Sequence, residues 1–236
     1  MRLVDESGCE RDFFFEMQKH AFHLRQQFTA RQLAVYELYK QTIEVPGCVA
    51  EIGVRNGANF FYLARLMEIF NPAQRFDGIS ARRLYGFDTF AGFPAIDARD
   101  ESKASWSDMK TGGVGANRET FFADLDAYRK DSPIAARVHV VEGDVCETIP
   151  ALIEDAPGLR FALLYFDLDL YQPTLSCLRV LWDKVPRGGI VAFDEFGLAE
   201  FPGESQAVDE FIADKGCRLR SFSWCHCPSA YLIKDC

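Results

Sequence analysis

The chain opens on a helix-like spacing of apolar positions and then changes rhythm. From residue 11 to about residue 40, Phe14, Met17, Ala21, Leu24 and Phe28 recur at three- and four-residue intervals, which predicts a helix. Its aromatic content exceeds what a solvated helix needs, so it is expected to pack on the domain, cap a cleft or join a second copy. From Cys48 onward, short apolar runs alternate with helix-length connections. "CVAEIGV" (48–54), "RRLYGFD" (82–88), "RVHVVEGD" (137–144), "RFALLYFD" (160–167) and "GGIVAFD" (188–194) read as strands. Helices are expected over about 57–70, 172–184 and 204–214, and two closing strands in "CRLRSFS" and "AYLIKD". This pattern predicts an α/β fold with a doubly wound, mostly parallel seven-stranded sheet, helices on both faces and one antiparallel strand at an edge. One domain over 45–236 is expected, preceded by a helical extension over 1–44. The polar, glycine-containing stretch from Thr89 to about Arg118 breaks the alternation, and is read as a lid-like loop beside the cleft.

In such a sheet, ligands bind outside the carboxyl ends of the strands, so the residues that end the strands carry the chemistry. Here they read "EIGVRNG", "GFDTF", "EGD", "FDLD" and "FDEF", and every one holds an acid. The first turn, Glu51-Ile-Gly53-Val54-Arg55-Asn56-Gly57, has glycines that permit a tight turn and close approach of a ligand. It is not the dinucleotide fingerprint, because Arg55 and Asn56 stand where a second glycine is needed beside a pyrophosphate. Asp88, followed by Thr89 and Phe90, is placed to accept from ribose hydroxyls. Asp144, after Gly143, is placed to receive an adenine amine. Together these point to adenosine carried without a diphosphate, namely S-adenosyl-L-methionine.

Asp167, Asp169, Asp194 and Glu195 end two strands expected to be neighbours. Helix N-termini would account for one acid each. A cluster of four would repel itself unless a hard divalent cation such as Mg²⁺ sat among the oxygens.

Composition narrows the reading further. The net charge of −9, with no clustering of basic residues, argues against a nucleic-acid partner. No segment has the length and apolarity of a membrane span or a signal peptide, so a cytoplasmic, soluble protein is expected. The eight cysteines suit a reduced compartment. "SWCHCPSAYLIKDC" suggests zinc through Cys225, His226 and Cys227. However, the usual spacer between thiolates is missing, and adjacent positions on a strand face opposite ways.

"GCVAEIGVRNGANF", "YGFDTFAGFP", "VVEGDVCETIPAL", "LLYFDLDLYQPT" and "PRGGIVAFDEFG" resemble, in that order, the macrocin O-methyltransferase (TylF-like) family over roughly residues 45–215. The resemblance implies a Rossmann-like class I methyltransferase. It would use S-adenosylmethionine and Mg²⁺ to methylate a hydroxyl of a deoxysugar, on a nucleotide-activated sugar or a glycosylated natural product. It also implies that Asp167, Asp194 and Glu195 hold the metal, although many members have a second aspartate where this chain has Glu195. Asp169 is then left as the candidate general base, with Asp167 in both roles as the alternative. Tyr171 is a candidate to orient the cluster, and His139 is expected to be a satisfied strand histidine. Competing readings are a metal-dependent methyltransferase of an aromatic diol, with Trp106 and the many phenylalanines lining a flat pocket, an NAD-dependent oxidoreductase, and a non-catalytic ligand-binding member. The aromatic first helix also points to a homo-oligomer.

Overall fold

The computed structural model describes residues 2–4, 10–12, 18–19, 24–71, 82–104 and 109–235. Strands β1 (Arg2–Val4) and β2 (Glu10–Asp12) pair antiparallel. Helix α1 (Gln26–Gln41) follows, then β3 (Cys48–Ile52), α2 (Ala58–Phe70), β4 (Leu84–Asp88), α3 (Arg118–Asp131) and β5 (Val138–Glu142). The second half runs α4 (Val145–Asp155), β6 (Phe161–Phe166), α5 (Tyr171–Leu181), β7 (Ile190–Phe193), α6 (Pro202–Ile212) and β8 (Ala230–Ile233). The main sheet has the order β5-β4-β3-β6-β7-β8, with β8 alone antiparallel.

The α/β class, the parallel pairing and the antiparallel edge agree with the sequence pattern, but the sheet has six strands rather than seven. "CRLRSFS" contributes only an isolated bridge between Arg220 and Tyr231. Five of its seven residues are arginine, serine or cysteine, and little of it can be buried against the sheet. The helix expected from residue 11 does not start there. Arg11 and Asp12 belong to β2, where the sequence has no apolar stripe, and α1 starts at Gln26. Phe14, Met17, Ala21, His20, His23 and Trp106 lie outside the described residues.

Strand periodicity sorts the core onto two faces. Leu164 and Phe166 of β6, with Ile52 and Phe193, pack towards α4, α5 and α6. Leu163 and Tyr165, with Val49 and Ala192, pack towards α1, α2 and α3, against Val35, Leu38, Phe60 and Phe121. Glu51 falls in register beside Tyr165 on this second face. The sheet's pleat therefore turns a glutamate and a tyrosine towards α1 just below the carboxyl ends of the strands.

Candidate active site

All five parallel strands end at one edge, and a cavity of about 610 Å³ opens there. Its lining includes Glu51, Gly53, Val54, Arg55, Asn56, Asp88, Thr89 and Asp144 from the first three strand ends. Asp167, Asp169, Asp194 and Glu195 line it from the last two. Leu24, and Gln27, Phe28, Arg31 and Gln32 of α1, line it too. Among the sequence candidates, Gly57, Phe90 and Gly143 do not line it. Phe90 is buried against Phe121, with ring centroids 4.7 Å apart. Gly143 donates its amide to the Asp88 carbonyl at 2.9 Å, joining the β4 and β5 ends.

The two turn glycines have a physical role other than ligand approach. Gly53 has φ +97°, and a Cβ there would lie 1.8 Å from the Asp167 carbonyl oxygen. The missing side chain lets the β3 turn pass against the backbone at the end of β6. A Cβ on Gly57 (φ +83°) would meet the rings of Phe61 and Phe121. In both cases it is the protein, rather than a ligand, that comes close.

Around this turn the carboxylates are held by backbone amides. Asp88 accepts from the Arg55 amide through Oδ2 and from the Phe90 amide through Oδ1, both at 2.6 Å. Asp144 caps α4, accepting from the Cys146 amide at 2.8 Å. Arg55 and Phe90 have φ +51° and +53°, in the left-handed region that costs a side-chain-bearing residue about 1–3 kcal/mol. Asp169 and Val114 share that conformation, and both line the cavity. Two of the four strained positions, Arg55 and Phe90, are thus held by contacts to Asp88.

At the ends of β6 and β7 the arrangement differs. Arg31 reaches in from α1 and donates to Asp167 Oδ2 at 2.7 Å, with the same nitrogen 3.0 Å from Asp194 Oδ1. The Tyr165 hydroxyl also donates to Asp194 Oδ1. Burial opposes the Arg31 charge, yet Tyr165, Asp194 and Asp167 around it drive its pKa upward. Glu204 of α6 is fully buried and accepts from the Glu195 amide at 2.8 Å. Oxygens of Asp167, Asp169 and Glu195 lie within 4.8 Å of one another. One guanidinium therefore faces a crowd of acids. Burial, followed by repulsion from Asp194, pushes Asp169 up to about 7 and Asp167 and Glu195 well above the usual carboxylate range. Burial does the same to Glu204 and Glu51.

The residues suit a hard cation. Glu195 Oε2 is buried without a hydrogen-bond partner, and so is Glu51 Oε2 on the adjoining wall. An oxygen-only donor set with uncompensated charge is what Mg²⁺ accepts. The set drawn together is Asp167, Asp169 and Glu195, whereas Asp194 faces Tyr165, Arg31 and Cys227. Tyr171 does not turn to the cluster, since its hydroxyl donates to Glu210 on α6. His139 lies on β5 stacked on Tyr85, 5.1 Å between centroids, with Nε2 buried and unpartnered, so it is a strand histidine but not a satisfied one.

The segment from Thr89 to Arg118 is more ordered than a bare loop. Phe93 and Gly113 are joined at 3.0 Å, and the Gly112 amide donates to Phe93 at 2.9 Å. Asp97 and Asp100 form a reciprocal cap over Ala98–Asp100, and buried Asp100 accepts from the Tyr171 amide at 2.7 Å. Thr89, Gly92, Phe93, Pro94 and Val114 form part of the cavity wall.

Arg31, Tyr165 and Glu204 were not among the sequence candidates, and Cys227 entered only through the zinc triplet that the sequence argued against. Arg31 carried a signal: it lies three residues after Phe28 and four before Val35, a charge within an apolar helical face. Glu204 carried none, because its burial follows from how α6 packs.

An adenosine-sized cavity over a glycine turn, next to an acid cluster on a doubly wound sheet, defines a class I methyltransferase. The model of the macrocin O-methyltransferase (TylF) family matches residues 25–220, and the chain belongs to that family. The calicheamicin methyltransferase CalS11 is 30% identical in sequence and superimposes with a TM-score of 0.85, covering 98% of this chain and 88% of that one. The O-methyltransferase NovP, at 23% identity and TM-score 0.67 over 87% of this chain and 79% of its own, shares the fold. A Streptomyces olivaceus protein, the 8-demethyl-8-(2,3-dimethoxy-alpha-L-rhamnosyl)-tetracenomycin-C 4'-O-methyltransferase, is 27% identical over 158 residues. That match spans 65% of this chain and 54% of the relative, about half of its length.

Proposed function

We propose that this protein is an S-adenosylmethionine- and Mg²⁺-dependent O-methyltransferase acting on a hydroxyl of a deoxysugar. The carrying observation is one cavity that holds both an adenosine-compatible turn and a partly uncompensated acid cluster. Family membership supports the reading, as does the likeness to CalS11, which a second structure describes as a TDP-rhamnose 3'-O-methyltransferase. A nucleotide-linked sugar is therefore the acceptor to test first. Residues 45–236 are taken as the transferase domain and residues 1–44 as an extension that carries Arg31 into the site. The described parts of 89–118 cover the acceptor.

When bound, the cofactor supplies an electrophilic methyl group and the cation supplies positive charge beside the acceptor hydroxyl. The chain's own residues do the rest. Asp88 and the 53–57 turn hold the ribose, and Asp144 faces the adenine. Asp167, Asp194 and Glu195 are the metal ligands the family pattern implies, while the proximity of Asp169 to Asp167 and Glu195 makes it a candidate ligand too. As general base, Asp169 takes the hydroxyl proton onto a carboxylate oxygen. The apolar wall of Phe93, Pro94, Leu168 and Phe201 excludes water from the reacting oxygen. Holding the reactants in place can supply several of the roughly 7–11 kcal/mol available to orientation.

Calorimetric titration of S-adenosylmethionine, with NAD as control, tests the donor. Methyl transfer to TDP-rhamnose, with catechol as the competing acceptor, tests the substrate. Absence of donor binding overturns the reading, and preference for catechol moves the enzyme to the aromatic-diol class. Exposed Phe28, Leu33 and Ile69 near α1 and α2 favour a homo-oligomer, and a monomeric mass in light scattering would refute that. No described helix is long and apolar enough to cross a membrane.

A further inference from the structure

Cys227 lines the cavity but takes no part in the methyl transfer proposed above. Its position is set by the chain around it. The Ser229 amide donates to the carbonyls of Phe193 and Asp194, at 3.0 and 3.2 Å, which ties the 222–229 segment to the end of β7. Cys227 Sγ and carboxylate oxygens of Asp194 and Glu195 then lie within 4.8 Å of one another. Glu195 is only 6% exposed, and its Oε2 has no hydrogen-bond partner.

We propose that Asp194, Glu195 and Cys227 form a second, mixed oxygen–sulfur site for a thiophilic divalent cation of the Zn²⁺ class. It overlaps the all-oxygen set of Asp167, Asp169 and Glu195 through Glu195, and the set that the family pattern implies through both Asp194 and Glu195. A hard cation favours the oxygen set, whereas a thiolate with two carboxylates suits Zn²⁺, Cd²⁺ or Co²⁺. Donors on one tetrahedral zinc are about 3.3–3.7 Å apart, so the three side chains need close by at most about 1.5 Å. Binding releases the thiol proton to solvent as the sulfur–metal bond forms. The local Cys225-His226-Cys227 triplet is not the site. The Cys225 thiol donates to the Cys227 carbonyl at 2.9 Å, and the partners of Cys227 come instead from the end of β7, more than thirty residues earlier. Since the two sets share Glu195, a thiophilic ion excludes the hard ion from its third ligand.

The test uses the full chain without methyl donor or sugar, so its failure leaves the proposed function standing. Co²⁺ or Cd²⁺ is titrated while sulfur-to-metal charge-transfer absorption is recorded. The expected result is a charge-transfer band in wild type that is absent in Cys227→Ser and retained in Cys225→Ser. Affinity falls roughly tenfold or more in Glu195→Gln, and Mg²⁺ raises the apparent Kd. Circular dichroism checks that Cys227→Ser is folded. A band that survives Cys227→Ser, or metal bound to wild type without any band, overturns the mixed site.

Discussion

The two halves of the cavity floor treat their carboxylates in opposite ways. On the β4 and β5 side, Asp88 and Asp144 accept from main-chain amides, so their charge is spent in shaping the turn that faces them. On the β6 and β7 side, Asp167 and Asp194 share the Arg31 guanidinium, Asp169, Glu195 and Glu204 are buried beside them, and two of these acids' oxygens have no partner. The first half is complete as folded. The second holds repulsion that an added cation relieves, which is a typical cost of keeping a site ready for charge. A carboxylate at a strand end can thus be a structural fastener or a reactive group, depending on whether the backbone already answers it.

Asp169→Asn sharpens this contrast most. It is expected to lower kcat by about 10²–10⁴ with little change in S-adenosylmethionine affinity, and single-turnover methyl transfer would measure it. A near-normal rate would remove Asp169 from the reacting half. Asp88→Ala takes the acceptor from two amides. It should weaken donor binding about tenfold in calorimetry and cost about 1–3 kcal/mol of stability. Arg31→Met removes the built-in counter-cation, so Mg²⁺ should bind a few-fold more tightly, at roughly 1 kcal/mol. Unchanged Mg²⁺ affinity would show that the guanidinium and the ion do not compete. Glu204→Gln keeps an acceptor for the Glu195 amide while removing one charge. It should raise the cation-free Tm by about 2–4 °C, for a gain near 1 kcal/mol, the opposite sign to Asp88→Ala. Equal signs for these two variants would break the comparison.

The smallest effect lies outside the cavity. Burial, followed by nearby Arg83 and Arg129, lowers the His139 pKa. The unfolded chain therefore binds the proton more readily than the folded one. Stability is fully present above about pH 6.5 and is lost as pH falls towards the lowered folded value. His139→Phe should flatten that part of the denaturation profile, by under about 1 kcal/mol.

The strands and most of the acids were legible because a buried parallel sheet writes itself as apolar runs, and its ligand edge as the residues that end them. "RFALLYFD" could be little else. The α3 and α4 helices were visible only as connections of the right length, and "CRLRSFS" looked like a strand because it alternates. Its stopping at a single bridge to Tyr231 depends on what β8 leaves open at the sheet edge, which is a tertiary property. The acid cluster was readable for the same reason as the strands. Its partners were not, because Arg31, Glu204 and Cys227 reach it from segments far away in sequence. No local pattern states that Cys227 will turn towards Asp194.

The bare Cα of Gly53 against the Asp167 carbonyl has one further consequence. The turn proposed for the methyl donor follows β3 and the acid block follows β6, so the two are offset by a single interstrand spacing of about 4.8 Å. The sheet thereby acts as a ruler for the reaction, and position 53 is where its gradations touch. A side chain there would push the marks apart, so the walls built by α1, the described parts of 89–118 and the 222–229 turn are free to differ in shape, while the distance between turn and acid block stays inherited from the pleat.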